Sequence, residues 1–189
     1  QKAKKPILIN DLKLIIKAID KDKIRDKALI LIGFSGGFRR SELVNIDYQD
    51  IEFVTEGVKI LIKRSKTDQS GEGAIKAIPY FNNQEFCPVI ALQNYVKFKF
   101  ENSNYGKIFD LSDKSVALII KKYAEKAGLD STKYAGHSLR SGFATTAAEF
   151  GAEERNIMAM TGHKTTQMVR RYIHEANLFK NNALNKIKI

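Results

Sequence analysis

Gly136-His137-Ser138-Leu139-Arg140-Ser141-Gly142, followed by Thr161-Gly162-His163 and by Tyr172 nine residues after that histidine, are the stretches on which the reading of this chain turns. His137 and Arg140 stand three apart in a segment, His137–Phe150, whose pattern predicts a helix closed by Gly151. On a helix, residues three apart share a face, so both side chains can address one small group. Glu153–Met160 and Thr165–Ile173 predict two more helices, with Gly162-His163 between them and Tyr172 on the second. Ser138 and Ser141 sit among these residues, but no Ser-His-acid arrangement emerges around them.

Working outward, the chain alternates helical periods with one strand-rich interval. Leu12, Ile15, Ile16 and Ile19 recur at helical spacing behind Asn10 and Asp11, which read as a cap. A second helix over Lys23–Ser35 ends at Gly36-Gly37, and a short one follows over Arg39–Asn45. Asp50–Val54, Val58–Lys63 and Ala74–Pro79 predict three short strands, joined by a turn at Glu56-Gly57 and by the polar stretch Ser65–Gly73. Pro88–Lys99 and Ser112–Ala127, the latter closed by Gly128, are helical. The fold class expected is therefore α+β, mostly helical with a small three-stranded antiparallel sheet.

Length and composition restrict the function. A chain of 189 residues suits one domain, and no apolar run approaches the ~20 residues of a membrane-spanning helix. One cysteine, Cys87, forbids an internal disulfide, and together with three histidines it argues against a Cys/His metal site. The expected location is the cytoplasm, at the nucleoid if the host is a prokaryote. The net charge of +11 suits a polyanionic partner, because each phosphate neutralised releases counterions. The chain begins at Gln1 rather than Met, which reads as a fragment, with residues 1–6 the end of a linker.

Two further stretches complete the pattern: Gly36-Gly37-Phe38-Arg39-Arg40-Ser41-Glu42-Leu43 and Ser65-Lys66-Thr67-Asp68-Gln69. Each is weak alone. In this order, over Asp11 to His174, they closely resemble the tyrosine recombinase (phage integrase) family, whose signature is Gly-x-Arg-x-Ser-Glu-Leu, a hairpin Lys, His-x-x-Arg, Gly-His and a nucleophilic Tyr. The resemblance implies the catalytic set Arg39, Lys66, His137, Arg140, His163 and Tyr172, in a catalytic domain over residues 7–176. It implies reversible cutting and rejoining of double-stranded DNA through a 3′-phosphotyrosyl intermediate, with no cofactor and no metal. It also implies a separate N-terminal core-binding domain outside this chain, and assembly as a tetramer on paired sites, the isolated domain being monomeric or weakly associating. Phe38 and Arg40 depart from the family's usual Leu and apolar residue at positions without a catalytic role. A type IB topoisomerase and a DNA-binding module with a dead site are the alternatives.

The chemistry of the residues agrees with that pattern. In-line attack on a phosphodiester builds charge on the non-bridging oxygens, which forked guanidinium groups such as Arg39 and Arg140 match bidentately. A phenol ordinarily titrates near ~10, so Tyr172 needs a proton acceptor, and an imidazole, near ~6.5, is the natural one; His137 is assigned that role. The ring N–H of His163 is expected on a phosphate oxygen. Lys66 is expected to protonate the leaving 5′-hydroxyl, with Lys63 and Arg64 on backbone phosphates, though either of them could take the place of Lys66. Glu42, three residues after Arg39, is expected to orient it, as the resemblance implies. The acids do not cluster as a Mg²⁺-dependent nuclease needs. After the nucleophile, Leu178, Phe179, Ala183, Leu184 and Ile187 form a helical stripe over residues 177–189. It must be buried, against its own domain in the isolated chain or in trans against a neighbouring protomer.

Overall fold

The central helix of the protein is buried on every side. In the computed structural model, which describes residues 4–63 and 73–187, α1 spans Ile9–Lys17, and α2, Ile24–Ser35, buries Ala28 through Ser35 without interruption. Its run of Leu, Ile and Phe has no polar face to offer solvent, as a helix enclosed by others requires. Asp26, the one buried charge on α2, accepts a hydrogen bond from the Tyr123 hydroxyl at 2.7 Å and pairs with Arg25 at 3.0 Å. After α3 (Arg40–Val44) come β1 (Ile51–Val54), β2 (Gly57–Ile62) and β3 (Ala74–Pro79), then α4 (Pro88–Lys99), α5 (Asp113–Lys126), α6 (Ser138–Glu149), α7 (Glu154–Thr161) and α8 (Thr166–Asn177). Helices α4 and α6 pack on α2, and α7 and α8 close against α6.

The sheet is antiparallel in the order β1-β2-β3, with Val54 opposite Gly57, so the first turn is Thr55-Glu56. Val58, Ile60 and Ile78 face the core, in keeping with the two-residue period of a strand. Lys76, paired with Ile60 across the ladder, sits on that same inward face at 4% exposure, while Ile75 beside it is 65% exposed. Strand β3 thus places its lysine inside and its isoleucine outside.

Residues 4–6 are tied to the domain: Lys5 N–H donates to the Lys133 carbonyl at 2.8 Å, and Ile7 N–H to that of Ser138 at 2.9 Å. Gly142 permits this crossing, since a Cβ there would stand 2.0 Å from the Ile7 carbonyl oxygen.

Two expectations need correction. Helix α1 starts before the residues expected to cap it: Leu8 is the N-cap, and Asp11 lies inside the first turn, bonded to Lys5 and to the Tyr134 hydroxyl, each at 2.8 Å. The tail is not a second amphipathic helix. Helix α8 runs on to Asn177, and beyond it, among the described residues, the chain makes only a 3₁₀ turn at Ala183–Lys186, whose N-cap Asn182 accepts from Leu184 N–H. Asn side chains compete with the helical ladder in this way, which ends the periodicity. Nor does the tail pack in cis: Leu178, Phe179, Leu184 and Ile187 are all exposed, Phe179 by 86%.

Candidate active site

The glycines that end α2 and α7 bring the basic residues together. Gly37 and Gly162 have φ of 56° and 66°, left-handed conformations that a residue with a Cβ adopts only at a cost. Each turn presents carbonyls inward. Arg140, on α6 and 6% exposed, donates through Nη1 to Gly37 O at 3.0 Å and also to Thr161 O. Arg39 approaches Gly162 O through Nη2 at 3.5 Å. Its other edge is held by Glu42, whose Oε1 accepts from Nη1 at 2.6 Å and whose Oε2 accepts from the Arg39 backbone N–H at 2.8 Å. Glu42 thereby starts α3 and fixes the arginine in one gesture.

Lys76 lies behind this pair. Its Nζ donates to Gly36 O at 2.8 Å, stands 3.7 Å from Glu42 Oε2, and lies 4.4 Å from the centroid of the Phe38 ring. Burial pushes its pKa down to about 8, against the attraction of Glu42. Burial, with Arg39 nearby, likewise lowers Arg140 to about 10. Three cations thus surround one carboxylate. In a medium of low dielectric such a surplus is met by an anion from outside.

His163 is buried beside them, with Nδ1 2.7 Å from Thr161 Oγ1. Burial, then the charges of Arg140, Arg39 and Lys76, push its pKa down to about 4, so the ring is neutral near pH 7. Its ring centroid is 6.0 Å from that of Tyr172, at an interplanar angle of 41°. Tyr172 is half-buried on α8, packed against the small core of Ala144, Ala148, Ile157 and Val169 that joins α6, α7 and α8.

His137 and Arg140, expected side by side on one helical face, are separated by burial. His137 is the N-cap of α6 and is exposed, opening with Tyr172 onto a cleft of about 1050 Å³. Lys4, Lys5, Lys133 and Arg171 line the same cleft. Arg39, Arg140 and Lys76 thus gather around Glu42 and His163, the ring of His163 lies beside Tyr172, and Tyr172 and His137 line one cleft. Lys66 and Arg64 lie outside the described residues, as does the turn from Ser65 up to Gly73. Lys63, expected on a backbone phosphate, is half-exposed, and its ammonium pairs with Asp47 and, at 3.0 Å, with Asp50, hydrogen bonds that raise its pKa.

Sequence reading missed Lys76 and Thr161. An inward-facing lysine in β3 is recognisable once the strand register is known. Thr161 lies in a quoted stretch, but nothing in the sequence marks its contact with His163.

Known proteins share this sequence pattern and fold. The model of the Phage integrase family covers residues 7–178. The chain belongs to the phage integrase family. A curated relative, an integrase/recombinase xerD homolog of Selenomonas ruminantium, is 47% identical over 202 residues, covering 99% of this chain and 59% of that protein. Tyrosine recombinase XerA of Pyrococcus furiosus is 32% identical, covering 94% of this chain and 63% of that protein. This integrase-family chain thus spans about three fifths of the length of those relatives. Its fold matches the crystal structure of XerA recombinase with a TM-score of 0.77 at 21% identity, covering all of this chain and 68% of that one. It also matches the XerH site-specific recombinase bound to a palindromic difH substrate in a post-cleavage complex, with a TM-score of 0.75 at 18% identity over 98% of this chain and 54% of that one. No helix among the described residues is long and apolar enough to cross a membrane.

Proposed function

We propose that this chain is the strand-cleaving domain of a site-specific recombinase acting on double-stranded DNA. The observation that carries the reading is a phenol, Tyr172, packed beside a pocket in which Arg39, Arg140 and Lys76 outnumber Glu42. The scissile phosphate sits between the two guanidinium groups, which strengthen their hold as charge grows on its equatorial oxygens. The Tyr172 oxygen attacks phosphorus, the P–O5′ bond breaks, and the 3′-phosphate becomes a tyrosyl ester. The phenolic proton passes to His137 across the cleft, and the departing 5′-oxygen takes a proton from Lys66. The ester keeps the energy of the broken bond, so attack by a 5′-hydroxyl reverses the step without ATP. The relatives' names as recombinases, and a solved neighbour bound to its DNA substrate, support this reading over relaxation by a topoisomerase-like enzyme. The place of action would be the nucleoid.

The exposed tail supports a finer point. Leu178, Phe179, Leu184 and Ile187 have no cover on their own domain, which favours docking in trans on a second protomer assembled on paired sites.

The test uses a nicked suicide duplex whose half-site has been selected for binding from a randomised pool. The intact protein forms a denaturant-resistant protein–DNA adduct, and Tyr172→Phe binds the duplex but forms none. An adduct of normal yield from Tyr172→Phe would remove the nucleophile from this account.

A further inference from the structure

Arg39 and Arg40 are neighbours in sequence, and their side chains part at once. Arg39, the N-cap of α3, reaches Glu42 and the Gly162 carbonyl. Arg40, the first residue of α3, lies across the backbone of Gly136, the residue before His137. A Cβ on Gly136 would stand 1.8 Å from Arg40 Cδ and 2.5 Å from its Nε, so glycine is what leaves room for this side chain. Gly136 is buried, while Arg40 itself is half-buried. His137, next along, opens with Tyr172 onto the cleft.

Covering a glycine takes only an apolar side chain, so packing does not explain the guanidinium. That group carries five N–H donors, yet it forms no hydrogen bond or ion pair among the described residues. Nor does it serve the helix, because a cation in the first turn opposes the helix dipole. Of the two neighbouring arginines, it is Arg39 whose charge acts on Arg140, Lys76 and His163 inside the pocket. Arg40 therefore holds its charge beside the pocket rather than in it. Donors anchored there without an acceptor of their own suit an acidic oxygen that arrives with the substrate.

We propose that Arg40 is a positioning residue for the substrate, its guanidinium holding the phosphodiester next to the scissile one on the cleaved strand. Contacts to backbone phosphates fix the register of a protein on a duplex. This one sets the scissile phosphate between Arg39 and Arg140.

The inference rests on the strand-cleavage reading, and its test separates the two. In the nicked suicide duplex, the phosphates flanking the scissile one are replaced, one at a time, by uncharged methylphosphonate. One such replacement is expected to weaken binding by the wild type and to slow its adduct formation, each on the order of tenfold. Arg40→Gln, which keeps a stem over Gly136, is expected to show that loss on the all-phosphate duplex and to be indifferent to the same replacement. The slope of its log affinity against log salt should fall by about one, with the melting temperature of the wild type. Arg40→Lys should restore part of the affinity and the slope. An Arg40→Gln protein as sensitive as the wild type to every flanking replacement, or with the wild-type salt slope, overturns the proposal. Affinity and salt slope are read without cleavage. Absence of any adduct from the wild type would therefore sink strand cleavage and leave the Arg40 contact to be decided by those two measurements.

Discussion

Replacing Lys76 by Met separates what the buried lysine costs from what it does. An ammonium group depressed from 10.5 to about 8 is disfavoured in the folded state by roughly 3 kcal/mol, at about 1.4 kcal/mol per pH unit. Methionine has nearly the same length and no charge, so the substitution removes that penalty. It also removes the hydrogen bond to Gly36 O and the contact with Phe38, each worth about 1 kcal/mol or a little more. The net change at pH 7 is thus expected to be small, within about 2 kcal/mol, which alone decides little. The pH dependence decides more. A lysine whose folded pKa lies below its unfolded one penalises the fold fully below the folded value, and the penalty fades as pH rises toward the unfolded value. Between pH 7 and pH 10 the wild type should gain about 2 to 3 kcal/mol relative to Lys76→Met. Urea denaturation of both proteins across that range measures the gap, and the difference cancels the other groups that titrate there. Parallel stability curves would refute the burial argument. If the gap opens as expected, strand cleavage at pH 7 by Lys76→Met should still fall, on the order of tenfold, because the phosphate pocket has lost a cation.

The other consequences concern the clamp, the acid and the tail. Arg39→Ala and Arg140→Ala should each slow cleavage by about 10²-fold or more. Arg140→Ala should also lower the melting temperature, because it strips a donor from the Gly37 and Thr161 carbonyls, whereas half-exposed Arg39 should spare it; equal melting losses would contradict the different burial of the two. Lys66→Ala should be rescued by a duplex with sulfur at the leaving 5′ position, since a thiolate departs without a proton; rescue of Arg64→Ala alone would move the acid there. Deleting residues 177–189 from the protein joined to its upstream domain should spare single half-site binding and abolish cooperative binding to paired half-sites in a gel-shift titration; undiminished cooperativity would remove the tail from assembly.

How far the sequence reached depended on whether a feature is local. The bounds of α4 and α5 were legible because Pro88 opens one helix, and Ser112 and Gly128 bracket the other. Arg39, Arg140, His163 and Tyr172 were named from short motifs, and the left-handed turns at Gly37 and Gly162 bring the first three of them near one another. Lys76 was not. In Ala74-Ile75-Lys76-Ala77-Ile78-Pro79 the inward face cannot be chosen until Lys76 is paired with Ile60, and that pairing belongs to another strand. Thr161 meets His163 through the left-handed turn at Gly162, a contact with no periodicity to reveal it. The tail misled for a related reason. Its spacing of one, three and four is helical, but a stripe makes a helix only where a surface receives it, and none on this domain does.

Under the proposed function, the pocket's electrostatics favour the transition state. Arg140 and Lys76 are held below their ordinary pKa values and His163 is held neutral, by burial first and then by neighbouring cations, Arg39 acting on all three. An entering phosphodiester brings one negative charge into this low-dielectric space, and the transition state brings more, so each cation is relieved as the reaction advances. Relief that grows with the developing charge is stabilisation of the transition state rather than of the bound ground state. Glu42 is consistent with this. Its carboxylate offsets part of the repulsion between Arg39 and Lys76, enough to keep both side chains in place, without cancelling the surplus that the phosphate oxygens must meet.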